Sequence, residues 1–192
     1  TDGDVSKHDY LSCVGDNLAK NIHVLWTGKE IIDKETTVED MRKLRKVIKR
    51  KPMLWDNFYA NDYAIDRLFL GPFAHRDSAI KDEIAGLLIN PNCQFVANYV
   101  PICTLGAWAS TSDYSPEAAL DKALDSWLPH FASSVPKKQI TKEDLVLLVS
   151  LFYLPHNESK LVNDFLASAK FLLGTSNYTS KDTVTKLDAF VA

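Results

Sequence analysis

The 192-residue sequence lacks several features that define other classes of protein. No run of apolar residues approaches the roughly eighteen that a transmembrane helix needs, so we expect no membrane span. The three cysteines are an odd number without a C-x-x-C pair, which favours reduced thiols in a cytosolic or nuclear protein over a disulfide framework. The N-terminus is neither a signal peptide nor a transit peptide, and it has no initiator methionine. We therefore expect a fragment or a processed piece.

The sequence patterns of metal, phosphate and nucleic-acid sites are also missing. The five histidines are scattered, with no H-x-x-x-H pair and no Cys/His cluster, which argues against a catalytic zinc site. The seven glycines are isolated and form no Gly-rich phosphate loop. A net charge of −3 argues against nucleic acid as the main partner. We expect no cofactor and no metal ion, and neither nucleic acid nor a membrane as partner.

The most informative stretch is PMLWDNFYANDY at 52–63, a short apolar run that ends abruptly at Trp55, Asp56 and Asn57. Polar and aromatic residues at the end of such a run are typical of a parallel barrel strand that delivers side chains to an active-site rim. Asp62 follows six residues after Asp56. Carboxylates and carboxamides bind hydroxyl groups, and an aromatic face covers the apolar face of a sugar ring. The pattern favours a sugar ligand; the alternative is an ordinary strand end with a satisfied turn.

Helix and strand patterns alternate in the first half of the chain, which is typical of a parallel α/β sheet or barrel. From about residue 110 only helix patterns follow. In the first half, helices are predicted at 10–19, from Thr37 or Glu39 to Arg50 and at 77–88, and strands at 23–28, within 52–63 and at 93–100. In the second half, helices are predicted at 115–131, from Thr141 with an apolar body at 145–154, at 158–173 and at 179–192, with a linker at 132–139.

The helix predicted at 37–50 carries a dense run of basic residues. Its apolar residues Met41, Leu44 and Ile48 share one face. The basic residues largely occupy the rest of the surface and are Arg42, Lys43, Arg45, Lys46, Lys49 and Arg50. Such a run is typical of the solvated outer face of a barrel helix, and the alternative is an anion-binding patch.

The alternating part is short for a complete barrel. It spans about 110 residues, whereas a whole (β/α)8 barrel needs roughly 200 to 250. Half a barrel would expose open sheet edges and an uncovered apolar interior, which soluble proteins avoid. Two alternatives remain: a smaller open α/β sheet, or a barrel whose missing half another polypeptide supplies.

Several segments, taken together and in order, are more specific than any one motif. They are VLWTG at 24–28, WDN and ANDY within 55–63, RLFLGP at 67–72, NPNC at 90–93, ANYV at 97–100, and the helical stretches SPEAALDKALDSWL and EDLVLLVSLFYLP. These segments resemble the eukaryotic protein O-GlcNAcase family. Its members are β-N-acetylglucosaminidases that remove single GlcNAc residues from Ser and Thr of nuclear and cytoplasmic proteins.

The resemblance implies an α/β fold in two parts. Residues 1–110 would form the C-terminal half of a (β/α)8 TIM barrel, the catalytic domain of a glycoside hydrolase. Residues 111–192 would form the N-terminal part of an all-α helical stalk domain. The predicted linker at 132–139 is short, whereas vertebrate members of the family carry a long disordered insertion there.

The resemblance also assigns roles to individual residues. Trp55 and Asn57 would line the GlcNAc pocket near the acetamido group. Asp62 would bind sugar hydroxyls on the side away from the scissile bond, and Asn90 would add a further hydrogen bond to the sugar. Tyr63 would lie at the rim, where the peptide part of the substrate passes.

The mechanism implied by the family is substrate-assisted retention. The acetamido oxygen of the substrate attacks the anomeric carbon to form an oxazoline, while one Asp orients the acetamido group and a neighbouring Asp acts as general acid and base. That Asp-Asp pair belongs to a segment N-terminal to this chain, so we expect the chain alone to be inactive. The implied partners are the N-terminal half of the enzyme, a second copy bound through the stalk and O-GlcNAc-modified proteins in the nucleus and cytoplasm.

Two rival hypotheses stay open at this point. The first is a glycosidase that uses Asp56 and Asp62 as its own carboxylate pair; the alternative for the Asp56 side chain is a structural role. The second is a noncatalytic helical interaction module with a merely structural α/β portion. It would leave Trp55, Asn57, Asp62 and Asn90 without a common ligand.

Overall fold

A parallel sheet of three strands organises the computed structural model, which describes residues 5, 9–64, 67–131, 139–156, 163–164 and 167. The strands are β1 (Leu25–Trp26), β2 (Met53–Asp56) and β3 (Gly86–Ile89). They lie side by side in chain order, with β2 in the middle. The predicted α/β class is therefore confirmed, and the apolar run that ends at Asp56 is the central strand.

The position predicted for the third strand was wrong. Residues 77–88, predicted as a helix, form a 3-10 helix at Ser78–Asp82 and then enter β3. Residues 93–100, predicted as a strand, form a 3-10 helix at Phe95–Asn98 and the first turn of α3 (Tyr99–Ser110). The apolar residues at 77–88 have helical spacing, but pairing with β2 overrides that preference, because β2 offers backbone partners to all four residues of β3.

Two helices precede the central strand and pack against each other. They are α1 (Asp9–Asn17) and α2 (Val38–Ile48), and their contact buries Leu11, Leu44 and Ile48. The predicted apolar face of α2 is therefore confirmed. After α2, the Arg50 guanidinium donates to the carbonyl oxygens of Leu18, Ala19 and Ile22 at distances of 2.8 to 3.0 Å. Arg50 thus closes the C-terminal end of α1.

Thr37 begins α2 with a capping box. Its hydroxyl oxygen accepts from the Asp40 amide, and the Asp40 carboxylate accepts from the Thr37 amide. We expect Thr37→Ala to lower the free energy of unfolding by about 1 kcal/mol, because the Asp40 amide loses its acceptor and the Asp40 carboxylate loses the hydroxyl donor. Urea denaturation measures this. The exposed Thr27 is a matched control, and Thr27→Ala should stay within about 0.5 kcal/mol of the unsubstituted chain; equal effects of both changes would contradict the capping role.

The helical part packs directly on the α/β part. It contains α4 (Pro116–Trp127), a 3-10 turn at Leu128–Phe131 and α5 (Lys142–Leu151), and Ser115 and Thr141 cap the two helices. Leu70 and Val100 share a core with Leu124 and Leu145. The backbone amides of Leu70 and Gly71 also donate to the carbonyl oxygens of Phe152 and Tyr153. Residues from both sides of position 110 therefore form one hydrophobic core.

The predicted helix starts at Ser115 and Thr141 are confirmed. The apolar body at 145–154 was predicted to be buried on nearly all sides, but only one face of it is buried. Leu145 and Val149 are buried, but Val146 is 47% exposed. The linker predicted at 132–139 and the helices predicted at 158–173 and 179–192 lie almost entirely outside the described residues. Within the part that the structure describes, no helix combines the length and apolar character that crossing a membrane requires.

Candidate functional site

The candidate site lies where the parallel strands end. Trp55 is the penultimate residue of β2, Asn57 directly follows β2, and Asn90 directly follows β3. Because carboxyl ends of parallel strands meet at one edge of the sheet, Asn90 comes together there with Trp55 and Asn57, although it lies 33 residues after Asn57. The structure joins all three by hydrogen bonds.

Asn57 is the centre of this group. Its side-chain oxygen accepts from the Trp55 indole Nε1 and from the Asn90 Nδ2, both at 3.1 Å. Its own Nδ2 donates to the carbonyl oxygen of Ile31 at 2.9 Å. An indole N–H can only donate and a carbonyl can only accept, so these two neighbours fix which way the carboxamide of Asn57 faces.

This arrangement determines what the group offers to a ligand. The Asn57 side-chain oxygen already accepts two hydrogen bonds, and one hydrogen of its Nδ2 is donated to Ile31. The group that Asn57 can still offer to a ligand is therefore the second hydrogen of Nδ2. Asn90, which is half-buried, presents its side-chain oxygen and one remaining N–H. Trp55 is 41% exposed and offers part of an aromatic face. A fixed donor, an amide with both functions and an indole face suit a ligand that is both polar and ring-shaped.

Asp62 and Tyr63 occupy a neighbouring exposed turn rather than this hydrogen-bonded group. The turn is held by the buried side chain of Asn61, whose oxygen accepts from the Cys93 amide at 2.7 Å. The Asn61 Nδ2 donates to the Gln94 side-chain oxygen at 2.7 Å. The loop that carries Asp62 and Tyr63 is therefore tied to the loop that follows Asn90.

Asp56 is engaged in a buried ion pair with Arg76. The carboxylate oxygens accept from the Nε and Nη2 of Arg76 at 2.7 and 2.9 Å, and both side chains are almost fully buried. One of those oxygens also accepts from the Phe58 amide. Arg76 in turn donates to the carbonyl oxygen of Asp33 at 2.9 Å. Asp56 therefore joins the central strand to the loop after β1 and is not directed at a ligand.

The loop after β1 supplies the Ile31 carbonyl and has a constrained backbone. Gly28 has φ +122°, and a Cβ atom there would lie 2.6 Å from the Asp33 carboxylate. That carboxylate accepts from the Lys29 amide at 3.1 Å. Burial raises the pKa of Asp33, although the Lys29 amide acts in the opposite direction. Glycine is thus required for the turn that places Ile31 beside Asn57.

Comparison with known proteins assigns the chain to a family. A family model described as beta-N-acetylglucosaminidase matches residues 3–141. The chain belongs to the β-N-acetylglucosaminidase family. It is also 38% identical over 164 residues to the Protein O-GlcNAcase of Rattus norvegicus and of Mus musculus, over 66% of this chain. The match covers 18% of those relatives, so the chain spans about a fifth of their length.

Solved structures agree with this family assignment. An O-GlcNAc hydrolase variant from Thermobaculum terrenum superposes with a TM-score of 0.69 at 25% identity, over 88% of this chain and 36% of that one. The protein CpGH84B gives a TM-score of 0.67 at 25% identity, over 88% and 29%. The resemblance to O-GlcNAcases noted from the sequence is confirmed. The proteins that this chain resembles are glycosidases that remove GlcNAc.

Sequence reasoning missed several polar residues that shape the candidate site. Arg76 was not singled out, although an arginine four residues after Pro72 in the apolar stretch GPFAHR could have suggested a buried charge. Asn92 and Asn98 were also missed. Asn92 bonds both the amide and the carbonyl of Phe69, and Asn98 accepts from the Asn92 amide at 2.8 Å. These asparagines hold the loop after β3 in place.

Metal chemistry gains no support from the described geometry. Among the described residues, no group of three or more His, Cys, Asp and Glu side chains is placed to bind a metal ion. The three cysteines are free and exposed. The polar groups at the sheet edge are amides and an indole, which bind through hydrogen bonds.

Proposed function

We propose that this chain is part of a retaining β-N-acetylglucosaminidase that removes O-linked GlcNAc from Ser and Thr of nuclear and cytoplasmic proteins. The observation that carries the proposal is the carboxamide of Asn57, fixed between Trp55, Asn90 and the Ile31 carbonyl at the carboxyl edge of the sheet. The family assignment supports GlcNAc as the sugar. The mammalian relatives, named as protein O-GlcNAcases, support a protein as the group that carries it.

Each residue of the site has a role in this proposal. Asn57 donates its remaining Nδ2 hydrogen to the ligand near the acetamido group, and Trp55 packs against the sugar. Asn90 adds a hydrogen bond, and Asp62 accepts from sugar hydroxyls on the side away from the scissile bond. Tyr63, which is 56% exposed, lies where the peptide leaves the pocket.

Catalysis in this proposal is substrate-assisted and needs residues outside this chain. The acetamido oxygen of the substrate attacks the anomeric carbon, and an Asp-Asp pair from a segment N-terminal to this chain orients the acetamido group and transfers the proton. Asp56 is unsuited to either task, because Arg76 and the Phe58 amide already occupy its oxygens. The chain alone would therefore bind sugar weakly and cleave nothing.

The open side of the sheet suggests where the N-terminal half would pack. β3 is an edge strand, and a depression of about 430 Å³ lies between it and α3. Apolar residues form most of its lining, among them Ile84, Leu87, Ile102 and Leu105. Parallel strands in chain order match consecutive strands of a (β/α)8 barrel, so a strand and helix from the missing half would cover this face. The helical stalk would then bind a second copy of the enzyme.

Native and denaturing mass spectrometry of the purified protein, followed by a GlcNAc-release assay, tests the proposal. We expect cleavage of an aryl β-GlcNAc substrate only when a polypeptide with the Asp-Asp pair is present, either copurified or joined to this chain. A folded, monomeric 192-residue chain that cleaves the substrate unaided would contradict it. An assembled protein that neither cleaves the substrate nor gains thermal stability from GlcNAc would contradict it too.

Asp62→Ala distinguishes the proposal from the rival hypothesis, in which Asp56 and Asp62 are the catalytic carboxylate pair. In the assembled enzyme we expect KM for aryl β-GlcNAc to rise about tenfold with a smaller change in kcat, because hydroxyl contacts are lost but the reacting groups remain. Steady-state kinetics measures both constants. The exposed Asp113 provides a matched control, and Asp113→Ala should leave both unchanged. Loss of all activity with unchanged substrate binding would favour Asp62 as a catalytic carboxylate.

A further inference from the structure

A second concave surface lies on α2 and the residues that follow it. Seven of the 22 Lys and Arg residues of the chain fall within residues 42–51, although the chain as a whole has a net charge of −3. The structure shows that most of them surround a depression of about 560 Å³. Its lining consists of Glu83 and six basic residues, namely Arg42, Arg45, Lys46, Lys49, Arg50 and Lys51. We call this surface the basic pocket.

Glu83 organises the basic pocket from within. Its two carboxylate oxygens accept from Arg42 Nε at 2.8 Å and from Arg45 Nη1 at 2.9 Å. The Glu83 side chain is only 11% exposed, and the two arginines hold its pKa below the usual value. Glu83 therefore stays ionised and fixes two guanidinium groups that would otherwise move freely in solvent. A simple solvated helix face would not need such a buried anchor.

The remaining cations are not all committed to protein partners. Arg50 donates hydrogen bonds to carbonyl oxygens at the end of α1, and Lys49 forms an ion pair with Asp16. Lys46 and Lys51 are exposed, and within the described residues neither has a carboxylate partner. Arg42 and Arg45 each direct one guanidinium nitrogen at Glu83, so further N–H donors remain for a ligand.

We propose that the basic pocket binds a small molecule that carries several phosphate groups. Even with Lys49 paired to Asp16, the other five cations against Glu83 leave an excess positive charge that a single phosphate cannot neutralise. Guanidinium groups held in place suit the paired oxygens of phosphates, and lysines add mobile point charges around them. The volume of the depression is in the range of small-ligand sites.

The lining argues against macromolecular polyanions. Single-stranded nucleic acid sites combine a basic groove with aromatic side chains on which the bases stack, and the pocket lining contains no aromatic residue. Peptide sites commonly offer a free strand edge or an apolar groove, whereas every side chain that lines this pocket is charged. A compact ligand whose polar surface is mostly phosphate fits this lining better.

The basic pocket lies at the end of the sheet opposite the sugar site. Lys51 precedes β2 and Glu83 precedes β3, whereas Asn57 and Asn90 follow those strands. α2 has 11 residues and is therefore about 16 Å long, and the pocket involves its C-terminal half. A phosphate ligand would bind without touching the sugar, so this inference does not depend on the proposed glycosidase activity.

Isothermal titration calorimetry of the full chain with inositol hexakisphosphate tests the inference. We expect saturable binding at one site that weakens as salt rises, because the attraction is between partly exposed charges. Lys46→Glu and Lys51→Glu should each weaken binding about tenfold, since a nearby attraction becomes a repulsion. Neither lysine has a partner in the described residues, so circular dichroism should show an unchanged fold.

Lys122→Glu is the matched control, because Lys122 is also an exposed helical lysine but lies on α4, away from the pocket. It changes the net charge equally and should leave the affinity within about twofold. Equal losses for the Lys46 and Lys122 variants would show general charge attraction and overturn the inference. Absence of inositol hexakisphosphate binding, or binding only of a single-stranded oligonucleotide, would overturn it as well.

Discussion

Arg76→Met is expected to lower the free energy of unfolding by about 3 to 5 kcal/mol, because it leaves the Asp56 carboxylate buried without its counter-charge. The side chains are 1% and 5% exposed, so water cannot replace the lost contact without opening the structure. Arg76 also lies over the Phe58 ring at 4.5 Å and bonds the Asp33 carbonyl, and both contacts disappear with it. Urea denaturation followed by tryptophan fluorescence measures the loss.

Two further variants check that the effect comes from the buried pair. Arg67 is exposed, and Arg67→Met should cost less than about 1 kcal/mol. In the double variant Asp56→Asn with Arg76→Met, the unpaired charge is gone, and we expect part of the stability to return. If Arg76→Met were no more harmful than Arg67→Met, the ion pair would not hold the loop after β1 to the central strand.

The central strand and its flanking helices could be predicted because their information is local. α2 has a capping residue, an apolar face of Met41, Leu44 and Ile48, and a proline soon after its end. β2 is a short apolar run that follows that proline. The local sequence of each of these elements predicts its observed conformation. The parallel α/β class therefore followed from the alternation of helix and strand patterns alone.

The third strand could not be placed because its conformation depends on distant partners. Ile80, Ile84 and Leu87 have helical spacing, yet Gly86 to Ile89 pair with β2 along its whole length. The aromatic and β-branched residues at 93–100 favour a strand by propensity. In the structure, Asn92 and Asn98 bond each other and close a tight loop there instead. Side-chain hydrogen bonds of this kind leave no periodic pattern in a sequence.

The site was predictable only in part for the same reason. Trp55 and Asn57 stood out at the end of an apolar run, and Asn90 entered through the family resemblance. The geometry joins these three, while Asp62 and Tyr63 lie on a turn that Asn61 ties to the next loop. The contact between Asn57 and the Ile31 carbonyl spans 26 residues and had no sequence counterpart.

Asn57→Ala is expected to reduce kcat/KM for aryl β-GlcNAc about 100-fold in the assembled enzyme. The substitution removes the donor that the proposal assigns to the sugar, and it leaves the Trp55 indole, the Asn90 amide and the Ile31 carbonyl without their shared partner. Asn57→Asp should be equally harmful, since a carboxylate oxygen would face the Ile31 carbonyl oxygen and repel it. Steady-state kinetics on both variants measures the effect.

Asn21→Ala makes the same chemical change at an exposed position and should leave kcat/KM within about twofold. Thermal unfolding of all three variants separates loss of the site from loss of the fold, because Asn57 lies after the central strand rather than within its apolar core. An Asn57→Ala enzyme that is folded and as active as the Asn21→Ala enzyme would show that the sheet edge does not hold the sugar. An enzyme that is folded but inactive would place the GlcNAc pocket at Asn57 and make the fixed carboxamide the feature on which sugar recognition depends.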